Sequence, residues 1–313
     1  MTDLANMRLG IFGAGFSGKH IGALAADRGA SVWGTTRSKE KFDQLSKLGI
    51  KPMEFDGETI GSTLSKALQT TTHLVISVAP PRDEGSNIEG HPVDPVLQAF
   101  ADQSGSILPD LKTLLPRLEW VCYLSTVGVY GNYDGAWIDE EAGLQPTSSR
   151  SRQRVRAEQE WQTVCAEHGI PLAIFRLSGI YGPGRNALVS ADRGKSRRLV
   201  KPGQVFNRIH AADIAQAVAL GMPKASAGVF NITDNEPAPP QDVVAHAHAL
   251  LGTEPPPELD FATAELSPMA RSFYGENKRV SNQRSKTVLG MSYAYPNYRE
   301  ALDAMYADGS WRG

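Results

Sequence analysis

The run Gly13-Ala14-Gly15-Phe16-Ser17-Gly18 has the composition and spacing to hold a phosphate. It follows the short apolar segment Arg8–Gly13 and opens the Ala-rich segment Lys19–Arg28. In a strand–loop–helix setting the first glycine permits a tight turn. The second lets the backbone approach a pyrophosphate, and the third lets helix pack closely on strand. The helix N-terminus then offers unpaired N–H groups to the anion. Gly13, Gly15, Phe16, Ser17 and Gly18 are therefore the expected dinucleotide contacts. Gly13 to Lys19 also fits G-x-x-x-x-G-K, but the next residue is His20, not the Ser or Thr that would hold magnesium. Later strands end in Ser77-Val78-Ala79 and in Ser125 rather than in Asp. A triphosphatase is disfavoured, and those strand ends are expected to line a dinucleotide.

The second strand decides which dinucleotide. NAD is held by an acid at its tip. Here the chain reads Thr35-Thr36-Arg37-Ser38, with hydroxyls and a guanidinium and no acid. Arg37, with Thr36 beside it, suits a 2′-phosphate through charge-assisted hydrogen bonds. NADP is expected ahead of NAD. Asp56, after the third strand, is either an adenine contact or a turn residue beside Gly57. No metal site is expected: His246 and His248 stand two apart and so off a common helical face, and Cys122 and Cys165 make no Cys-x-x-Cys. Ser17 and Ser178 are not set in G-x-S-x-G, so a hydrolase elbow is not expected.

The elements that must position these residues alternate. Strand-like runs are Arg8–Gly13, Ser31–Thr35, Ile50–Phe55, His73–Ala79, Trp120–Ser125 and Leu172–Leu177. Helical stretches Lys19–Arg28, Lys39–Leu48 and Ser148–His168 each stop at a glycine. Consecutive apolar positions fit strands covered on both faces, and the alternation implies right-handed βαβ units. The expected fold is α/β: a doubly wound parallel Rossmann sheet with a smaller C-terminal substrate-binding lobe. The division is placed at 1–182 and 183–313, with 205–235 returning to the sheet through Val229–Thr233. Long loops at Pro80–Pro95 and Gly131–Pro146 follow strands, where ligands bind.

Four further segments carry a resemblance. They are Leu124-Ser125-Thr126-Val127-Gly128-Val129-Tyr130-Gly131, Arg176-Leu177-Ser178-Gly179-Ile180-Tyr181-Gly182-Pro183-Gly184, Arg208-Ile209-His210-Ala211-Ala212-Asp213-Ile214-Ala215, and the late-strand segment Asn231-Ile232-Thr233-Asp234. With the glycine loop they resemble the extended short-chain dehydrogenase/reductase superfamily, the NAD-dependent epimerase/dehydratase family, over nearly the whole chain. The nearest likeness is to its YeeZ-like atypical branch. The resemblance implies NAD(P) binding, with Ser125, Ser178 and Thr126 near the nicotinamide and a homodimer as the usual assembly. It also implies two departures. Phe12 stands where the family's first loop glycine falls. The family's Tyr-x-x-x-Lys pair registers on Arg150 and Arg154, and no Tyr or Lys occurs from Asp134 to Ile180. A guanidinium never releases its proton at working pH, so it cannot serve as the general acid. Arg154 either holds the cofactor ribose or a substrate anion, or lies on a solvated face paired with Glu158. Tyr130 and Tyr133 are the phenols nearest Thr126, and Thr126 and Tyr130 are taken as the candidate catalytic pair. The alternative to an NADP-dependent oxidoreductase is a non-catalytic NADP(H)-binding sensor.

Global composition is consistent with these expectations. The chain has 313 residues and a net charge of −2. No apolar run approaches the ~20 residues that span a bilayer. A cytoplasmic protein with no nucleic-acid or membrane partner is expected. Between Ser148 and Lys201, however, 11 Lys and Arg face 4 Asp and Glu. That stretch, with Arg193, Lys195, Arg197, Arg198 and Lys201, suits an anionic small-molecule substrate or a solvated loop.

Overall fold

Arg8–Phe12 buries four of its five residues, and the strand Trp120–Thr126 is buried up to its last position. Strands this apolar on consecutive positions need cover on both faces. In the computed structural model, which describes residues 3–81, 91–105 and 108–313 and omits the side chains of 268–270, helices supply that cover. Residues 82–90 of the loop expected at Pro80–Pro95 lie outside the described residues.

The first half runs β1 (Arg8–Phe12), α1 (Phe16–Asp27), β2 (Ser31–Thr36), α2 (Phe42–Lys47), β3 (Ile50–Glu54), α3 (Ser62–Leu68) and β4 (His73–Ile76). Next come α4 (Pro95–Ser104), α5 (Leu111–Leu114), β5 (Trp120–Thr126), β6 (Trp137–Ile138), α6 (Ser149–His168), β7 (Leu172–Leu177) and β8 (Gly179–Tyr181). The remainder is α7 (Ala187–Asp192), β9 (Arg198–Val200), β10 (Arg208–His210), α8 (Ala211–Gly221), β11 (Gly228–Ile232), α9 (Pro240–Leu251), β12 (Glu258–Asp260), α10 (Pro268–Phe273), β13 (Arg279–Val280) and α11 (Tyr298–Ala307).

Seven strands form one sheet in the order β11-β7-β5-β4-β1-β2-β3, every pair parallel. The chain moves outward from β1 to β3, then restarts at β4 on the other side. This is the Rossmann-like α/β arrangement, and the reversal between β1 and β4 opens the crevice where such sheets take ligands. Side chains alternate between the faces. Leu9, Ile11, Val75, Cys122 and Leu124 pack with Ile21 of α1 and Ile214 of α8. Leu74, Ile76, Val121 and Tyr123 pack with Phe100 of α4 and Trp161 of α6. Cys122 and Cys165 are both free and buried, and they belong to these opposite clusters.

Beyond residue 182, β11 returns to the edge of the main sheet beside β7, while β8–β10 and β9–β12 form separate two-stranded pairs. The pair β6–β13 pins the segment after Gly131 to residues 279–280. These two- and three-residue strands are too short to show a period in the sequence. Phe12 has a structural reason to be aromatic: it packs edge-on against Trp33, Phe55 and Phe100, with ring centroids 5.1–5.6 Å away. Its side chain belongs to the core beneath the loop. Among the described residues no helix is long and apolar enough to cross a membrane.

Candidate active site

The strand registers gather the expected residues at one edge. Phe12 pairs with Ile76, Ile76 with Tyr123, and Thr126 with Leu177. Gly13, Ser77-Val78-Ala79, Ser125-Thr126 and Ser178 therefore leave the carboxyl ends of neighbouring strands. At ~4.8 Å per strand, β1 and β5 lie roughly 10 Å apart.

The glycine loop is held from below. The Gly13 N–H donates to Thr35 Oγ1 at 2.9 Å, and the Ala14 N–H to the Thr35 carbonyl at 2.7 Å. Gly13 has φ +91°, and a Cβ there would press on Ser77 and Val78 backbone atoms at 3.0–3.1 Å. A Cβ on Gly18 would overlap the Gly13 carbonyl oxygen, so the start of α1 sits directly on the loop. A Cβ on Gly15 would meet nothing within 4 Å. That open side, together with a helix start that has no side-chain cap, leaves backbone N–H groups available to a pyrophosphate. The loop fits the group. Phe16 is half-buried, between the His20 ring and the Arg185 guanidinium. Ser17 is buried.

At the tip of β2, Thr36 Oγ1 accepts from the Ser38 N–H at 3.3 Å, and Arg37 is exposed. Asp56 is exposed, and its Oδ1 accepts from the Glu58 and Thr59 N–H groups at 2.8 Å. Those bonds, Thr59 first, hold its carboxyl below the usual range. Of its two expected roles, the turn role is the one visible here.

Thr126 ends β5, and its Oγ1 accepts from the Gly128 N–H at 3.1 Å, which leaves the hydroxyl hydrogen to donate outward. Tyr130 does not face outward. It is fully buried, its hydroxyl donates to Asn231 Oδ1 at 2.8 Å and accepts from Arg176 Nη1 at 3.0 Å. Burial pushes its pKa up to about 12. The phenol expected as a catalytic group is thus held in a buried hydrogen-bond network. The Tyr133 hydroxyl is also engaged, donating to the Gly143 carbonyl at 2.7 Å.

Helix α6 carries the two arginines. Arg154 Nη1 donates to the Leu124 carbonyl at 2.7 Å and to the Tyr123 hydroxyl at 3.2 Å. It holds the end of β5 from the side. It does not pair with Glu158, contrary to one expectation, because Glu158 is turned inward. Glu158 accepts from Ser125 Oγ and from both Nε and Nη2 of Arg176 on β7. Ser125 is therefore a strut beneath the site. Ser178 is buried, with its Oγ 3.5 Å from the Ile232 carbonyl. Arg150, one turn before Arg154, is exposed.

Residues 11–233 match the NAD dependent epimerase/dehydratase family. The chain belongs to that family. Over 161 residues it is 26% identical to a 3-diazoavenalumate denitrifying reductase from a Streptomyces species. That match covers 47% of this chain and 51% of the relative, so the chain spans about half the length of the reductase it matches. Among solved structures, it resembles a functionally unknown conserved protein from Silicibacter pomeroyi DSS. The two are 44% identical with a TM-score of 0.82, over 97% of this chain and 99% of that one. It is also similar in fold to UDP-glucuronic acid 4-epimerase from Bacillus cereus in complex with NAD. There the identity is 17% and the TM-score 0.73, over 96% of each chain.

Besides Arg154, α6 brings a serine to the end of β5. Ser151 was not expected. It is buried, its Oγ accepts from Ser148 Oγ at 2.9 Å, and it lies against Gly128. A Cβ on Gly128 would meet Ser151 Oγ at 3.0 Å and Thr126 Oγ1 at 3.4 Å. In sequence Ser148-x-x-Ser151 signals only a helix cap. Its proximity to Thr126 follows from the packing of α6. Thr35 and Asn231 were missed for the same reason, since their partners lie 22 and 101 residues away.

Proposed function

We propose that the chain binds NADP(H) and catalyses hydride transfer to or from a small polar substrate, without a Tyr-x-x-x-Lys pair. The observation that carries this is the open backbone at Gly15, above a loop pinned by Thr35 at the β1/β4 crevice. Gly13, Gly15, Phe16, Ser17 and Gly18 would hold the pyrophosphate. Thr36 and Arg37 would take the 2′-phosphate, and Ser77-Val78-Ala79 would border the adenosine half. A bound nicotinamide supplies or accepts a hydride. The chain's own residues do the rest. The Thr126 hydroxyl hydrogen is free to hydrogen-bond the substrate oxygen, which would take its proton from water, and Ser151 stands beside it. Arg154 fixes the Leu124 carbonyl, and so the direction in which Thr126 leaves the strand. Burial of Ser125 and Ser178 keeps water from the base of the cleft.

One observation favours a second reading, a non-catalytic NADP(H) sensor: the hydroxyls of Tyr130 and Tyr133 are both engaged within the protein. NADPH oxidation across a panel of carbonyl compounds and nucleotide sugars separates the two. The first reading expects turnover on at least one substrate class. The second expects NADPH binding with none.

A further inference from the structure

Arg150 stands on the first turn of α6, on the same face as Arg154. Its Cζ lies 5.1 Å from the centroid of the Phe273 ring. Phe273 closes α10, in the part of the chain beyond the Rossmann strands. The contact therefore joins the helix that carries Ser151, next to Gly128 and Thr126, to α10. Both side chains are exposed, Phe273 to 47%.

The neighbouring cations are committed elsewhere. Lys201 Nζ donates to the Tyr274 carbonyl, Arg271 Nη2 to the Ala264 carbonyl, and Lys278 Nζ to the Gly131 carbonyl and Glu276. Arg154 is tied to Leu124. Among the described residues, Arg150 has an aromatic ring beside it and no carboxylate or carbonyl acceptor. An aromatic cluster begins at the residue after Phe273. Tyr274, next in the chain, stacks on Phe261 with centroids 5.0 Å apart, and Phe206 packs edge-on against it at 5.2 Å.

A guanidinium fork binds one carboxylate through two parallel hydrogen bonds. An exposed ring beside it favours a flat π-system over a saturated sugar. A diphosphate would need several free cations, and of the five cations named here only Arg150 lacks an acceptor among the described residues. We propose that Arg150 and Phe273 form a substrate subsite for a small monocarboxylate with a planar aromatic or conjugated body. The proposal rests on the oxidoreductase reading above, since it places such an acid at the start of the helix whose Ser151 adjoins Gly128 and Thr126.

The test uses calorimetry with cinnamate, cinnamamide and UDP-glucose, on the free protein and on the protein saturated with NADPH. Cinnamate should bind at least about tenfold more tightly than its amide, the usual effect of losing a charged hydrogen bond. Arg150→Ala should lose at least about tenfold in cinnamate affinity, and Arg150→Lys less. Phe273→Ala should lose several-fold, with NADPH affinity unchanged in all three variants. The subsite is overturned if cinnamate does not bind, if amide and acid bind alike, if Arg150→Ala binds cinnamate as the parent does, or if UDP-glucose alone binds. Failure of NADPH to bind would instead sink the oxidoreductase reading, and cinnamate binding to the free protein would still decide the subsite.

Discussion

Arg176 grips Glu158 with two hydrogen bonds, Nη2 to Oε2 at 2.7 Å and Nε to Oε1 at 3.2 Å, and both side chains are buried. The pair ties α6 to β7 and, through Ser125, to β5. Removing one partner leaves an uncompensated buried charge, which costs about 3–5 kcal/mol. Glu158→Ala should therefore lower stability in urea by roughly that amount. The double variant Glu158→Leu, Arg176→Met should recover most of it. A single variant as stable as the parent would show that the pair does not hold the helix.

Arg37 is the guanidinium at the tip of β2, and no acid stands there. Arg37→Ala should weaken NADPH by roughly tenfold or more, the loss of a charge-assisted bond, and leave NADH nearly unchanged. Fluorescence titration with both cofactors measures the ratio. An unchanged ratio would remove the 2′-phosphate from this position.

If the Thr126 hydroxyl hydrogen-bonds the reacting oxygen, Thr126→Ala should reduce kcat about 10²–10³-fold, the usual cost of losing one such donor to a developing oxyanion. Thr126→Ser should keep most of the activity. Cofactor affinity should stay unaffected in both. Full turnover by the Ala variant would take Thr126 out of the mechanism.

Asp94 caps α4, its Oδ1 accepting from the Val96 and Leu97 N–H groups at 3.0 and 3.2 Å. Burial lifts its pKa to about 6, against the pull of those bonds and of Arg154. A carboxyl raised above its unfolded value near ~3.9 favours the folded state when protonated. That stabilisation is complete below pH ~4 and lost as pH rises through about 6. Asn keeps the cap without the charge. Asp94→Asn should be more stable than the parent at pH 8 by on the order of 2–3 kcal/mol, read in urea, with the gap closing near pH 4. A gap that does not change with pH would contradict this.

What the sequence shows of this site follows from how far each feature reaches along the chain. Gly13 to Gly18 are legible because each glycine answers a local backbone demand: a positive φ, an open side, a close approach. Strands β1, β2, β4 and β5 are legible because both their faces are largely buried, whereas the edge strand β3 keeps Lys51 and Glu54 exposed. The surroundings of Tyr130 are not legible because its motif is local but its partners are not, since Arg176 and Asn231 reach it from 46 and 101 residues away. Glu158 reads as an i,i+4 partner of Arg154, yet its carboxylate is bound by Arg176 of β7. Arg150 could be placed on a helix face, but its neighbour Phe273 comes from a six-residue helix with no period to read.

The central claim is that the loop at Gly15 receives a dinucleotide pyrophosphate. Its most direct test is calorimetric titration of NADPH into the parent and into Gly15→Ala. A Cβ at that position touches nothing in the protein, so the variant should fold and melt as the parent does. The parent should bind NADPH, and the variant should bind at least about tenfold more weakly because the methyl occupies the approach of the phosphates. A parent that binds neither NADPH nor NADH, or a variant that binds as tightly as the parent, would contradict the account.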